Sequence, residues 1–322
     1  MVGRKKITIF LLEKLSANQR DLLFSLKRLS LKKRVFPDKQ LFIMVFDRKF
    51  LHGGLADRLK GIISTFHYCL CKGIEFRINH TYPFNLTDYL LPNEYNWKLR
   101  YHDKVSHHLF ETKCANWIGT DLFKRLININ TKKQIHCYAS RNVISELNTY
   151  YQTNYEWGEL FEKLFKLNPD VEKEINYHKN AIGSKYIACQ FRFLALLGDF
   201  NEYDDPVLMK QEQEALIKKC LKVLTDLKNK YNIPILVTSD SITFISRVSE
   251  IEGIYTLPGK PVHIDCVNPV NSHEYMKTFI DFFMLSGAQK IYSAFTIEMY
   301  QSEFPLYAAK LNNVPFEKIL IE

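Results

Sequence analysis

From residue 40 onward, short apolar runs alternate with longer amphipathic stretches, and this alternation limits the fold more than any single motif does. The runs at 41–46, 75–79, 135–139, 186–191, 233–238 and 290–293, with another at the C-terminus, have the length of strands. Between them, 55–72, 157–167, 169–181, 206–231, 274–287 and 298–311 carry helical spacing. Strands separated by helices predict an α/β chain with mostly parallel sheets.

With 322 residues and 46% hydrophobic content, the chain exceeds one ordinary core. Pro169 suits a first helical turn and Gly183-Ser184 a turn before a strand, so a boundary falls near Asn168. The expected division is a basic amphipathic helix over 1–39, a Rossmann-like domain over 40–168 and a second over 169–322. Two such domains facing each other would leave a cleft between them. Ligands bind these sheets beyond the carboxyl ends of strands, so chemistry is sought there.

The formal charge of +9 is concentrated at the start, where residues 1–40 hold eleven Lys/Arg against three acids. Leu11, Leu15, Leu22, Leu26 and Leu29 recur there at helical spacing beside Lys27, Arg28, Lys32, Lys33 and Arg34. Two readings fit: a helix lying on anionic lipid, or a helix packed on its own protein with a solvated basic face. No nucleic-acid-binding motif is present. Seven cysteines without a CxxC pair, and no basic-apolar leader, predict a reducing, cytoplasmic setting.

Three strand ends carry polar residues where apolar ones are the rule. In Gln190-Phe191-Arg192, the arginine needs a carboxylate partner such as Asp199 or an anionic ligand such as a phosphate. In Thr238-Ser239-Asp240-Ser241, the small residues either cap the next helix or, at Asp240, accept from a base or ribose. In Ser293-Ala294-Phe295-Thr296, hydroxyls enter an expected helix whose N–H groups could hold phosphate. A fourth feature, Gly53-Gly54 followed by Asp57, Arg58 and Lys60, opens a helix with those charges off its apolar face. Its spacing is neither GxGxxG nor GxxxxGK. His102, His107 and His108 lack metal-ligand spacing, His263 and Asp265 suit a surface loop, and Asp204-Asp205 precedes Pro206 as a helix cap would.

In this order, the glycine turn and the three strand ends resemble the GDP-fucose-dependent fucosyltransferases, including α-1,2-, α-1,6- and protein O-fucosyltransferases. Gly53-Gly54-Leu55-Ala56-Asp57-Arg58 is similar to their GxGN(R) turn, with Asp for Asn. Gln190-Phe191-Arg192 is similar to their HxR strand end, with the arginine kept and the histidine replaced. The resemblance implies a GT-B-like fold of two facing Rossmann-like domains, a GDP-fucose donor in the second, a glycan acceptor in the first, inversion, and no metal or other cofactor. It implies Arg192 on the β-phosphate, with Gly53, Gly54, Arg58, Gln190, Ser239, Asp240, Ser293, Phe295 and Thr296 near the donor. Asp57, Asp199 and Glu202 are the possible bases. The reducing setting and the basic N-terminal helix suggest a bacterial-type enzyme acting on lipid-linked or surface-polysaccharide glycans at the inner face of the membrane. Another nucleotide-sugar transferase, or a non-catalytic carbohydrate- or membrane-binding protein, remains as an alternative.

Overall fold

A computed structural model of the chain describes residues 15–31, 33–47, 49, 52–199, 206–262, 264 and 272–322. Glu202, Asp204, Asp205, His263, Asp265 and the first turns of the expected N-terminal helix lie outside the described residues. Contacts divide the chain into two compact units, 7–166 and 167–322.

The first unit begins with helix α1 (Ala17–Leu26), capped by Ser16 and Gln19 in a reciprocal capping box. Next come β1 (Leu41–Phe46), α2 (Leu55–Lys72), β2 (Glu75–His80) and β3 (Leu90–Pro92). These are followed by β4 (Thr112–Asn116), α3 (Leu122–Ile127), β5 (Gln134–Tyr138), α4 (Ile144–Tyr151), α5 (Trp157–Leu164) and β6 (Phe165–Leu167). Four strands form a parallel sheet in the order β2-β1-β5-β4. All six residues of β1 are buried, as expected of a central strand covered on both faces. Helix α2 ends at Gly73, whose φ of 64° is the left-handed cap that glycine adopts without strain. Gly61 brings α2 against the end of β5, where a Cβ would stand 1.7 Å from the Ala139 carbonyl oxygen.

The N-terminal helix packs otherwise than the leucine spacing predicts. Phe24 is fully buried while Leu22 and Leu26 face solvent. Arg28 is buried over the Phe24 ring and paired with Asp47 at 2.6 Å, and Arg34 meets Glu111 at 3.0 Å. Part of the basic segment is therefore bonded into its own unit, because Asp47 and Glu111 draw it down.

The second unit runs α6 (Pro169–Ile182), β7 (Ile187–Phe191), α7 (Lys210–Tyr231), β8 (Ile235–Ser239), α8 (Ile242–Val248) and β9 (Ile254–Thr256). It closes with α9 (Met276–Ser286), β10 (Ile291–Phe295), α10 (Phe304–Leu311) and β11 (Phe316–Leu320). Its parallel sheet has the order β11-β10-β7-β8-β9. Asn168 accepts from the Asp170 N–H to cap α6, with Pro169 in the first turn. Ile187, Cys189, Phe191 and Val237 pack against Leu216, Cys220 and Leu224 of α7. The helix expected from 298 starts only at Phe304, with Pro305 in its first turn, so Ser293–Thr296 does not feed a helix N-terminus.

Candidate functional site

The carboxyl edge of the second sheet gathers the polar strand ends. Register pairs Ser293 with Gln190 and Gln190 with Thr238, so three adjacent strands present one row of polar side chains on a single face. All three are buried, and the Thr238 hydroxyl has no hydrogen-bond partner. The Thr296 hydroxyl, just beyond β10, is likewise buried and unpartnered. Such groups cost free energy unless something completes them, by about 1–3 kcal/mol each.

One step further along the same face stand Arg192 and Asp240. Asp240 is buried, and Arg192 Nε lies 3.4 Å from its Oδ2. The Asp240 carboxylate also accepts from the Phe193 and Leu194 backbone N–H groups, each at 2.8 Å. Leu194 holds a left-handed φ of 52°, and the two bonds keep this turn in place directly after Arg192. Burial pushes the Asp240 carboxyl up, against the pull of Arg192 and the N–H donors. Offered by the sequence as a cap or as an acceptor for a base or ribose, Asp240 uses both oxygens inside its own unit and positions Arg192. The arginine side chain keeps 18% exposure.

Two residues of the expected set belong to a neighbouring cap. Asp199, expected as the partner of Arg192 or as a base, accepts through Oδ2 from the Ser241 hydroxyl at 2.9 Å and from the Thr243 N–H. Ser241 in turn accepts from the Phe244 N–H and caps α8. Ser239 pairs with Phe191, which sets it on the face opposite Thr238, and it accepts from the Ser241 N–H. Phe295 is buried in the hydrophobic core.

In the first unit the glycine turn is closed on itself. The Gly53 N–H donates to the Tyr138 hydroxyl at 2.7 Å, and the Gly53 carbonyl accepts from Arg58 Nε at 2.8 Å. Gly53 therefore offers no cradle for phosphate. Its lack of a side chain has another cause: a Cβ would fall 2.5 Å from Asp57 Oδ2. Arg58 and Lys60, expected off the buried face, are both buried. Arg58 Nη1 reaches His80 Nε2 at 3.0 Å and the Tyr82 carbonyl at 2.9 Å. Asp57 stays part-exposed, 2.6 Å from Lys60 Nζ.

Sequence reasoning passed over the histidines behind this turn. His80 donates through Nδ1 to the Phe84 carbonyl, which leaves Nε2 to accept from Arg58. His52 Nε2 bonds the Asp47 carbonyl at 2.8 Å, and its Nδ1 is buried without a partner. Burial, with Arg58 acting in the same direction, pushes both imidazoles well below the ordinary 6.5. The position of His80 at the end of the second strand was the available signal. Among the described residues, no three His, Cys, Asp or Glu side chains group closely enough to hold a metal ion.

No family model matches the chain, and no curated protein matches it in sequence. Solved structures do match in fold. A mutant of Arabidopsis thaliana FUT1 in complex with GDP superposes with a TM-score of 0.56 at 11% identity, over 95% of this chain and 75% of that one. This chain shares the fold of that fucosyltransferase. The α-1,6-fucosyltransferase NodZ soaked with GDP-fucose superposes at 0.50 with 13% identity, covering 85% of this chain and 93% of that one. A second NodZ structure, from Bradyrhizobium, gives 0.50 and 13%, over 84% and 93%. The shared fold covers both units of this chain.

Proposed function

We propose that this chain is an inverting, metal-independent glycosyltransferase that moves fucose from GDP-fucose to a glycan hydroxyl. The observation that carries the reading is the polar row Ser293–Gln190–Thr238 at the carboxyl edge of a parallel sheet, with Arg192 held just beyond it by Asp240. Of the structures that share the fold, one is in complex with GDP and another was soaked with GDP-fucose, which supports the same donor. In this reading Arg192 binds the β-phosphate and neutralises the charge that builds on departing GDP, the role a metal otherwise takes. Gln190, Thr238, Ser293 and Thr296 orient the nucleotide through groups the fold leaves open. The second unit is the donor domain and the first the acceptor domain.

An inverting transfer takes the acceptor proton as the fucosyl bond forms. Asp57 is the preferred base because it is part-exposed at the head of α2, with one oxygen paired to Lys60 Nζ, while Asp199 accepts through Oδ2 from both the Ser241 hydroxyl and the Thr243 N–H. Glu202 is the remaining candidate. Asp57→Asn should lower kcat by about a hundredfold with donor affinity unchanged, as expected on loss of general-base catalysis. Unchanged kcat removes Asp57 from the mechanism.

A thermal-shift series with GDP, UDP, CDP and ADP tests the donor. Selective stabilisation by GDP supports the reading, and stabilisation by UDP alone overturns it in favour of another nucleotide sugar. Activity that vanishes with EDTA and returns with a divalent cation overturns metal independence. The reading places the enzyme in surface-polysaccharide synthesis at the inner face of the membrane, with α1 as a peripheral contact. No described helix is long and apolar enough to cross a bilayer. Exposed Leu22, Leu26 and Leu31 in the basic segment support surface contact. Leu22→Ser/Leu26→Ser should lose liposome binding, and full retention overturns the contact.

A further inference from the structure

A cavity of ≈590 Å³ opens in the first unit at the carboxyl end of β4, between α1 and α3. Four cations, Arg20, Lys113, Lys124 and Arg125, line it against one carboxylate, Asp121. We propose that this pocket binds an anionic group carried by the saccharide acceptor, a proposal that rests on the glycosyl-transfer reading above.

The nearby acids are already engaged. Asp121 Oδ1 accepts from the Lys124 backbone N–H at 3.1 Å and so caps α3, and its Oδ2 lies 3.5 Å from Lys124 Nζ. Asp21, behind the wall, accepts from the Asn116 N–H at 2.8 Å and stands 3.7 Å from Arg125. The lining therefore keeps an excess of positive charge. Arg20 adds a second, independent observation: its Nε is buried and has no hydrogen-bond partner. Its guanidinium lies along the turn at Gly119, where φ is +61° and a Cβ would come within 3.6 Å of Arg20 Nη1. Arg20 therefore lines the cavity with its Nε unsatisfied by the protein, and an oxyanion there would meet its guanidinium as a charge-assisted acceptor.

Position and shape choose the ligand. Strands β1, β5 and β4 are parallel and adjacent in that order, so the pocket and the Gly53 turn lie on the same edge of one sheet. Two strand spacings separate them laterally, about 10 Å, which a short glycan running along the edge can span. Trp117 adds an aromatic wall to the converging polar groups, the mixture that orients small ligands. A bilayer surface engages projecting cations, whereas a recess of this volume admits a single charged sugar. Phosphate and carboxylate both satisfy mixed lysines and arginines, so the shared chemistry is a saccharide oxyanion.

The test uses the full chain labelled with 5-fluorotryptophan. Its three tryptophans, Trp97, Trp117 and Trp157, give separate 19F resonances that single Trp→Phe substitutions assign. Probes are a galacturonate trisaccharide, a phosphorylated trisaccharide, neutral maltotriose and phosphatidylglycerol vesicles. The Trp117 resonance should move saturably with one or both charged trisaccharides and stay still with maltotriose. Lys113→Glu/Lys124→Glu should weaken that response at least tenfold, with the Trp97 and Trp157 resonances unmoved as a check on folding. Whichever charged probe acts identifies carboxylate or phosphate. An equal shift with maltotriose, full retention in the double variant, no shift with either charged sugar, or a response to vesicles alone overturns the proposal. GDP stabilisation measured on the same sample separates the two readings. Its absence beside an intact Trp117 response breaks only the donor assignment, and its presence beside a silent Trp117 breaks only the pocket.

Discussion

Each unit sets an arginine at the carboxyl edge of its parallel sheet, and the two arginines differ in every environmental respect. Arg58, 2% exposed, bonds Gly53, His80 and Tyr82 of its own unit. Arg192 keeps an 18% exposed side chain, held from behind by a buried carboxylate that also fixes the following turn. In the first unit the cation is the structure of the turn. In the second, the structure is arranged to present the cation. A sequence shows two arginines beside glycines or polar strand ends, and only their partners tell scaffold from ligand site.

The sharpest way to break the comparison is to replace both arginines by methionine. Arg58→Met leaves two part-buried carbonyls and the buried His80 Nε2 without their donor, so stability measured by urea unfolding should fall by about 3 kcal/mol. Arg192→Met should cost about 1 kcal/mol or less, because its exposed pair with Asp240 is screened and Asp240 retains two N–H donors. Equal losses would dissolve the distinction between the two sites.

Acid should separate the units next. His52, His80 and His136 of the first unit are buried, with imidazoles depressed by burial, His136 to about 3. Each unfolds to an ordinary value of 6.5. The unfolded state therefore binds protons that the folded state refuses, and stability present above pH 6.5 is lost as pH falls below it. The slope is about 1.4 kcal/mol per pH unit for each such histidine. In the second unit, His178 is depressed in the same direction, but Asp240 and Asp281 are raised by burial, which favours the folded state as acid is added. Hydrogen exchange at pH 5.5 against 7.5 should show the 41–138 region opening first. Uniform protection loss would contradict the assignment.

The same contrast governs how much was legible in the sequence. Central strands such as β1, β7 and β8 are unbroken apolar runs, and long helices such as 55–72 and 210–231 carry a clear period, so both sheets could be foreseen. The edge strands β4 (Thr112–Asn116) and β9 (Ile254–Thr256) and the short helices α3 and α8 could not, since each is too short or too polar to show a period. At the sites, residue types survived better than roles. The Gly53 N–H looked available because Tyr138, which takes it, lies 85 residues away in sequence. Asp199 looked like the partner for Arg192, whereas the fold brings Asp240 to the arginine and gives Asp199 to the Ser241 hydroxyl and the Thr243 N–H.

If the proposed donor reading holds, Arg192→Ala should weaken GDP binding by about tenfold to a hundredfold, the range expected on losing charge-assisted bonds to phosphate. Isothermal titration with GDP reads this directly, and an unchanged Kd would leave Arg192 a structural ion pair.

The smallest expected effect discriminates best between a core defect and a binding group. Thr238 sits in the row with Gln190 and Ser293, buried, with a hydroxyl that nothing in the structure satisfies. Thr238→Val keeps the shape and removes the orphan group. If the hydroxyl serves only the fold, the exchange is a gain of up to about 1 kcal/mol in stability and leaves GDP binding alone. If the row orients the donor, the same stability change should accompany a several-fold loss of GDP affinity, because the ligand then loses a hydrogen bond that the apo protein never made. The control is Thr65→Val, whose hydroxyl is likewise buried and unpartnered but lies on α2 of the first unit. Stability should respond alike at both positions, and GDP binding at Thr238 alone.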